Sequence, residues 1–184
     1  MPTTDHCAFT AERLDVGPWH EMSRRYGLDL AVEVATILTE ATTAGLPSEW
    51  HGNFTIDRAR RWIRDRDAES PTLLAIDRGT EAAVGVLILF ESSHPKLPGV
   101  ELRIGYVIAE RAWGQGYASE LLAGLVEWAR ADERVRSLLG GVAADNPASA
   151  HVLRKRGFSR LPDTTTAEQV YELSFDTADP SGPG

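Results

Sequence analysis

The residues from Arg111 to Ala118 (RAWGQGYA) have the composition of a phosphate-binding loop. They follow a strand-like run, Leu102 to Ile108, and precede a helix-like run, Ser119 to Arg130. Backbone N–H groups at the start of a helix have no partner within it, and the helix dipole adds partial positive charge there. Glycines at 114 and 116 let the backbone approach a ligand closely. The segment therefore predicts a site for a phosphate-bearing ligand.

Two common phosphate-binding motifs do not fit this loop. A Walker loop requires Gly-Lys followed by Ser or Thr, and the sequence contains no Gly-Lys pair. A dinucleotide fingerprint requires Gly or Ala where this chain has Ser119, and it belongs to the first strand-to-helix turn of its fold. The remaining alternative to a ligand site is an ordinary helix start that contains two turn glycines.

The loop and a second segment downstream together resemble the signatures of the GNAT superfamily of N-acetyltransferases. Arg111 to Gly116 is similar to the family's Arg-x-x-Gly-x-Gly loop for the acyl-CoA pyrophosphate, and Ile104 to Ile108 is similar to its fourth strand. Asn146 to Phe158 resembles its Asn-x-x-Ser helix that ends in Gly-Phe. The detail is most similar to the branch that includes the ribosomal-protein N-terminal alanine acetyltransferases. The clear resemblance covers residues 72–176.

This resemblance implies an α/β GNAT fold, with a mixed, mostly antiparallel central sheet and helices on both faces, in one domain over residues 1–184. It implies acetyl-CoA as the co-substrate and an enzyme that acetylates a primary amine by direct attack in a ternary complex. The acceptor would be a protein N-terminus or a small-molecule amine. A non-catalytic acyl-CoA-binding regulatory module is the alternative, because two side chains with catalytic roles in the family are replaced in this chain.

The resemblance also implies which residues hold acetyl-CoA. A backbone N–H near Val107 or Ile108 would polarise the thioester carbonyl, and the amides of Gly114 to Ala118 would bind the pyrophosphate. The basic run Arg154 to Arg156 would either complement the helix dipole or contact the ribose phosphate of CoA. The predicted donor-binding residues are Val107, Ile108, Arg111, Trp113, Gly114, Gln115, Gly116, Tyr117, Ala118, Ser119, Asn146 and Ser149.

The reaction needs a group that accepts the proton of the amine, because a free amine with a pKa of ~10 is charged at neutral pH. Many relatives carry a glutamate where this chain has Arg103, and Glu101 lies one pleat earlier on the same face. We predict that Glu101 accepts the proton through water and that Arg103 sets its pKa or orients the substrate. The alternative is a surface Glu–Arg pair along a strand.

The reaction also needs a group that protonates or stabilises the leaving thiolate. Many relatives place a tyrosine where this chain has Leu153, which leaves Ser149 or Asn146 as the polar candidate near the sulfur. Ser149 has the alternative role of supporting the start of a helix. A dedicated acid is also dispensable, since a thiol pKa of ~8.5 makes the thiolate a tolerable leaving group.

In this fold the first helices and their connection usually wall the acceptor pocket. Trp50, His51 and Phe54 lie in that connection and are candidates for substrate binding. The alternative is a loop whose aromatic side chains fasten it to the core.

Composition limits the other classes of function. The net charge of −8 argues against a nucleic-acid surface and suits a cationic amine acceptor. The single cysteine, Cys7, excludes an internal disulfide, and the five histidines show no ligand spacing, so we expect no metal site. We expect no membrane span and no signal peptide, because no long apolar run is present and the first residues are polar. We therefore expect the protein to be cytoplasmic. The resemblance also implies that a homodimer is possible, because homodimers are frequent in the GNAT superfamily.

Hydrophobic spacing predicts the elements that position these residues. One helix should carry the stripe Leu30, Val34, Ile37, Leu38 and Ala41, and a second should start after Thr55 with Ile56, Ala59, Trp62 and Ile63 buried. Asn146 should cap a third helix that stops at Gly157. The predicted strands are Glu12–Val16, Thr72–Asp77, Ala83–Phe90, Val100–Ile108, Ser137–Ala144 and a last one around Tyr171 to Phe175, with a loop from Ser92 to Pro98 and a mobile tail over residues 177–184.

Overall fold

The structure is a computed structural model that describes residues 3–93, 98–162 and 168–175. Its eight strands form one sheet in the order β1-β2-β3-β4-β5-β6-β8-β7. All neighbouring strands are antiparallel except β5 and β6, which are parallel. The strands are β1 (Phe9–Thr10), β2 (Leu14–Pro18), β3 (Thr72–Asp77), β4 (Ala82–Ser93), β5 (Val100–Ile108), β6 (Val135–Ala143), β7 (Ser159–Arg160) and β8 (Glu168–Ser174).

Helices cover both faces of the sheet, and all six residues of β3 are consequently buried. The α-helices are α1 (Trp19–Arg25), α2 (Leu30–Ile37), α3 (Glu40–Thr43), α4 (Ile56–Glu69), α5 (Tyr117–Ala131) and α6 (Pro147–Lys155). Short 3₁₀ turns lie at Thr3–His6, Ser48–Trp50 and Glu110–Ala112. The predicted mixed, mostly antiparallel sheet with helices on both faces is confirmed.

The first predicted amphipathic helix is two helices, α2 and α3. The chain leaves helical geometry at Leu38, which is fully buried, and a new helix starts after Thr39. Thr39 forms a capping box with Thr42, because its side chain accepts from the Thr42 N–H while its own N–H donates to the Thr42 hydroxyl. This break turns the chain towards α6, and a Cβ at Gly45 would lie 3.5 Å from Nδ2 of Asn146.

The caps that the sequence predicts are confirmed. The Thr55 hydroxyl accepts from the Arg58 N–H at 3.2 Å before α4. The Asn146 side chain accepts from the Ser149 N–H at 3.1 Å before α6, and the chain leaves that helix through Gly157 at φ +89°.

The strand predictions match for β3 and β5, while β2, β4, β6 and β8 shift by a few residues at their ends. The two-residue strands β1 and β7 were not predicted, because such short pairings leave no periodic pattern. Most of the predicted Ser92-to-Pro98 loop and the predicted tail over residues 177–184 lie outside the described residues.

Candidate active site

The parallel strands β5 and β6 are paired over only part of their length. We call the opening between them the fork. Their pairing runs from Val100 and Val135 to Ile104 and Gly140, where it ends. Strand β5 stays paired with β4 up to Ile108, whereas its other edge is unpaired from residue 105 onwards. An unpaired backbone edge offers N–H and C=O groups to a ligand that lies alongside it.

Alternation along β5 determines which backbone groups face the fork. The Ala109 N–H donates to the Val84 carbonyl of β4 at 2.8 Å. In an antiparallel ladder every second residue points the same way, so Val107 also faces β4, while Tyr106 and Ile108 face the fork. Of the two predicted carbonyl-polarising amides, the structure therefore supports Ile108 and argues against Val107.

A pair of hydroxyl groups bridges the fork on the face covered by α6. The Tyr106 hydroxyl lies 2.7 Å from the Ser149 hydroxyl, and Ser149 sits in the first turn of α6 below the Asn146 cap. Burial raises the pKa of Tyr106, an effect larger than the opposing one of its hydrogen bond to Ser149. Tyr106 is therefore protonated at neutral pH and can donate a proton. The sequence analysis missed Tyr106, although its polar end on an otherwise apolar strand face was a usable indication.

The helix start that follows β5 has the geometry of an anion site. Gly114 and Gly116 adopt φ values of +71° and +84°, which favour glycine. Gly116 precedes α5, and the first helical hydrogen bond runs from the Glu120 N–H to the Gly116 carbonyl at 3.0 Å. The N–H groups of residues 117–119 therefore have no acceptor within the helix. They lie at the positive end of a 15-residue helix.

Most side chains of the predicted donor set bind the protein itself. The Arg111 guanidinium donates to the Ala83 carbonyl and lies 4.0 Å from the Glu33 carboxylate. The Trp113 indole donates to the Ile108 carbonyl at 2.9 Å, although the side chain is half exposed. These contacts fix the path of the loop and use one nitrogen of the guanidinium.

The other two side chains of the loop also bind within the protein. The Gln115 amide donates to the Arg111 carbonyl at 3.0 Å. The Tyr117 hydroxyl donates to the buried Asp77 carboxylate at 2.6 Å, and this bond lowers the pKa of Asp77 and raises that of Tyr117. The loop therefore presents backbone amides to a ligand while its side chains hold the loop in shape.

Arg13, which the sequence analysis did not select, fastens this loop to the sheet from the other end of the chain. It donates to the Gln115 carbonyl at 3.0 Å and to the Glu120 carboxylate at 2.8 Å, and its guanidinium lies 4.3 Å from the centre of the Tyr117 ring. The carboxylate of Glu120 also accepts from the Leu14 N–H at 3.1 Å. No sequence motif indicates Arg13, because more than 100 residues separate it from its partners.

Ser119 and Arg156 connect the N-terminus of α5 to the end of α6. The Arg156 guanidinium donates to the Ser119 hydroxyl through two nitrogens, at 2.6 and 3.2 Å. A positive charge is thereby held beside the helix start that offers the free amides. Of the basic run Arg154 to Arg156, this contact favours Arg156 for a role at the phosphates, while Arg154 donates to the Tyr171 hydroxyl at 3.1 Å.

The three acceptor candidates separate into two groups. Trp50 and Phe54 pack edge-on against Trp62 of α4, with ring centroids 5.5 and 6.0 Å apart. Phe54 is buried, and these contacts support the alternative in which aromatic side chains fasten the loop. His51 is exposed and lines a pocket of ≈360 Å³ together with Glu40, Ala44 and Gly52. His51 is thus the one of the three whose position suits substrate binding.

The structure does not support the predicted pairing of Glu101 with Arg103. Arg103 forms an ion pair with Glu168 of β8, with 2.8 Å between the charged atoms. Glu101 lies in the closed part of the sheet, opposite Ser92 of β4 and Ser137 of β6. Four residues of strand separate it from Gly105 at the fork, a distance of about 13 Å. A single water cannot bridge that distance, so this position argues against Glu101 as the proton acceptor.

Two other classes of site were considered in the part of the chain that the structure describes. No three histidine, cysteine, aspartate or glutamate side chains come together there in a way that could hold a metal ion. None of the helices in those ranges has the length and apolar character needed to cross a membrane.

The sheet, the fork and the helix start define the class of protein. A parallel pair that opens within an antiparallel sheet, next to a glycine-bounded helix N-terminus, can hold phosphates at the helix start and an extended ligand along the unpaired strand edge. The model of the acetyltransferase (GNAT) domain matches residues 18–159. The chain belongs to the GNAT acetyltransferase family, whose members use acetyl-CoA for acyl transfer.

Solved structures share the fold across nearly the whole chain. A GNAT-family acetyltransferase from Bacillus anthracis superposes with a TM-score of 0.69 at 16% identity, covering 92% of this chain and 99% of its own. A Vibrio cholerae protein assigned as a ribosomal-protein-serine acetyltransferase gives 0.66 at 19% identity, covering 94% and 99%. The ribosomal α-N-protein acetyltransferase RimL, in complex with coenzyme A, gives 0.63 at 17% identity, covering 92% and 99%. A sequence comparison with curated proteins finds no match.

Proposed function

We propose that this protein transfers the acetyl group of acetyl-CoA to a primary amine, by direct attack of the amine in a ternary complex. The acceptor is a protein N-terminus or a small-molecule amine. The observation that carries the proposal is the fork, which combines an unpaired edge of β5, the Tyr106–Ser149 hydroxyl pair and the helix start at Gly116. These three features follow one another in space from the end of β5 to the start of α5 and α6.

The residues present suit an acyl-CoA. The free amides of residues 117–119 and the guanidinium of Arg156 would hold the phosphates. The edge of β5 at Tyr106 and Ile108 would accompany the pantetheine arm with strand-like hydrogen bonds. A Cβ at Gly105 would have no atom within 4 Å, so the strand leaves space beside the fork where a thioester can lie.

Two chemical requirements of acetyl transfer, stabilisation of the oxyanion and protonation of the thiolate, then have a group in the fork. An amide that faces the fork, at Ile108 or Tyr106, would stabilise the oxyanion as the amine nitrogen attacks the carbonyl carbon. The carbon–sulfur bond breaks, and the Tyr106–Ser149 pair gives the thiolate a proton. Ser149 would thus keep its predicted catalytic role as part of a pair.

The net charge of the chain and the names of two similar structures support an amine as the acceptor. The net charge of −8 attracts a cationic amine, and Glu40 at the start of α3 lines a pocket together with His51. Two of the similar structures are named for ribosomal-protein acetylation. Because identity to both is below 20%, a small-molecule amine is an equal member of the proposal.

Two measurements on the purified chain test the proposal. Acetyl-CoA at about 100 times its dissociation constant should stabilise the fold by ~2.7 kcal/mol and raise the melting temperature by about 5–10 °C. Free CoA should appear only when an amine is added, from a panel of peptides that start with serine or alanine, amino acids, diamines and aminoglycosides. ATP and NAD are the matched controls for the phosphate site.

Three outcomes contradict the proposal in different ways. Equal stabilisation by ATP or NAD would indicate a general nucleotide site. An unchanged melting temperature at millimolar acetyl-CoA would show that acetyl-CoA is not the donor. Stabilisation without CoA release from any amine would favour the acyl-CoA-binding regulatory module.

A further inference from the structure

An ion pair crosses a strand of the sheet beside the fork. Arg103 on β5 and Glu168 on β8 are separated by β6, yet their charged atoms are 2.8 Å apart. The pair passes over Gly141 of β6, where a Cβ would lie 2.1 Å from the Glu168 carboxylate and 3.2 Å from the Arg103 guanidinium. A side chain at this position would displace the Glu168 carboxylate from where it lies, so the glycine leaves room for the observed geometry of the pair.

The pair lies where the strands separate. Gly140 is the last residue of β6 that pairs with β5, so Gly141 is the first residue beyond the closed part of the sheet. Arg103 and Tyr106 differ by an odd number of residues, which puts their side chains on opposite faces of β5. The carboxylate of Glu168 and the Tyr106–Ser149 pair therefore approach the fork from opposite sides.

This face of the fork is open to a substrate. Arg103 and Gly141 are exposed, and about half of the Glu168 side chain is exposed. Among the described residues of β5, β6 and β8, the other charged groups on this face are Glu101, Arg103 and, two pleats along β8, Glu172. Strand β6 contributes no titratable side chain at Gly141 or Ala143. A cationic amine that enters from this side meets a carboxylate before it reaches the thioester.

We propose that Glu168 is the group that accepts the proton of the amine and that Arg103 is the residue that positions it. The inference rests on the proposed function. A nitrogen–hydrogen bond of the ammonium breaks and its proton moves to a carboxylate oxygen of Glu168. The freed nitrogen electron pair forms the bond to the carbonyl carbon. As the tetrahedral intermediate collapses, the carbon–sulfur bond breaks and the sulfur takes a proton from the Tyr106–Ser149 pair. The nitrogen gives up its second proton through water, which restores the proton of the pair, and Glu168 releases its own proton to solvent.

This assignment explains how the chain functions with an arginine at position 103. Arg103 draws a carboxylate from two strands away to the fork. Glu101, the carboxylate nearest to it along β5, remains about 13 Å from the fork in the paired region. The glycine at 141 leaves the space in which the charged groups of Arg103 and Glu168 meet.

The test compares Glu168→Gln with Glu172→Gln in the full chain, using the amine that the wild type acetylates fastest in the panel above. Glu172 lies on the same face of the same strand and serves as the matched control. We expect Glu168→Gln to lower kcat at pH 7 by about 10²–10⁴-fold. The deficit should shrink as the pH rises towards the pKa of the amine, because the free base then forms without help. Stabilisation by acetyl-CoA should be unchanged.

A second variant tests the geometry without altering the carboxylate. Gly141→Ala places a methyl group where the Glu168 oxygen lies, so it should give a loss of the same kind with the same pH dependence. Arg103→Gln should lower kcat less than Glu168→Gln and should leave acetyl-CoA binding intact.

The possible failures are distinguishable. If the wild type releases no CoA with any amine, the proposed function fails first. If the wild type is active and Glu168→Gln keeps its rate and pH profile, this inference is overturned while the function stands. If Glu101→Gln loses activity in the manner expected for Glu168→Gln, the original prediction for Glu101 is restored.

Discussion

The two sides of the fork are built in different ways. The proposed donor side consists of the helix start at residues 114–119 and the Tyr106–Ser149 pair, and the proposed acceptor side consists of Arg103, Gly141 and Glu168. The donor side uses backbone amides whose positions depend on a short run of glycines. The acceptor side uses side chains from three strands, which meet only because the sheet brings those strands together. The donor is common to the family, whereas the acceptor side has to match a particular amine.

On the donor side, the side chains of the sequence motif bind other protein atoms in the structure. Arg111, Gln115 and Tyr117 all make contacts inside the protein. They shape the loop and leave the amides to the ligand. A loop motif therefore predicts where a ligand binds better than it predicts which side chains touch it.

The largest effect should come from the aromatic cluster of Trp50, Phe54 and Trp62, which holds two of the predicted substrate-binding residues. Phe54→Ala removes a buried ring that packs against Trp62, and we expect the free energy of unfolding to fall by about 3–5 kcal/mol. Chemical denaturation measures this loss. Ile56, two positions away, was predicted to be buried but is exposed in the structure, because it is the first residue of α4, so Ile56→Ala should cost less than about 0.5 kcal/mol. Unchanged stability with a raised KM for the amine would instead make Phe54 a substrate-binding residue.

Tyr117→Phe should have the next largest effect, because it removes the hydrogen bond to the buried Asp77 carboxylate. We expect a loss of about 1–3 kcal/mol at neutral pH. The bond lowers the pKa of Asp77 below its unfolded value, so its contribution is complete above about pH 4. The difference between wild type and variant should narrow as the pH falls further, and thermal unfolding between pH 7 and pH 2.5 would measure it.

The matched control for that variant is Tyr26→Phe. Tyr26 donates to Asp15 at 2.8 Å, away from the phosphate loop. Both variants should lose stability, but only Tyr117→Phe should also weaken acetyl-CoA binding. Equal affinity in the two variants would show that the Tyr117–Asp77 bond does not shape the loop.

Tyr106→Phe tests the chemistry of the donor side. It removes one member of the hydroxyl pair, and we expect kcat to fall about tenfold. This is less than the usual ~10²–10⁴-fold of acid catalysis, because a thiolate leaves without much help. Ser149→Ala should give a similar loss, and the double variant should lose little more, since the two groups act as a unit. Additive losses in steady-state kinetics would contradict a shared role.

The smallest effect should come from Gly116→Ala. An alanine at φ +84° costs about 1 kcal/mol of stability and distorts the start of α5, so acetyl-CoA affinity should fall severalfold. Gly27→Ala is the control, because Gly27 has a φ of +65° and open space around it but lies away from the fork. Titration calorimetry should find reduced affinity only in Gly116→Ala. Equal affinities would show that the loop tolerates the change.

Local patterns predicted much of the fold. The bounds of β3 and β5 and the caps at Thr55 and Asn146 depend on neighbouring residues, and they match the structure. The break between α2 and α3 was missed, because the apolar stripe continues through Leu38 and only the Thr39–Thr42 capping box ends the helix. For the base, sequence proximity favoured Glu101, whereas the structure places the carboxylate of Glu168, from another strand, against Arg103.

The sequence by itself determined the family, the strand-to-helix loop and the donor, because those depend on contiguous residues whose backbone does the binding. Only the tertiary structure decided that Arg13 fastens the loop, that Tyr106 meets Ser149 and that Arg103 meets Glu168 over Gly141. Each of these contacts joins residues that are distant along the chain, and their side chains meet only where strand order, register and the end of β5–β6 pairing bring them together.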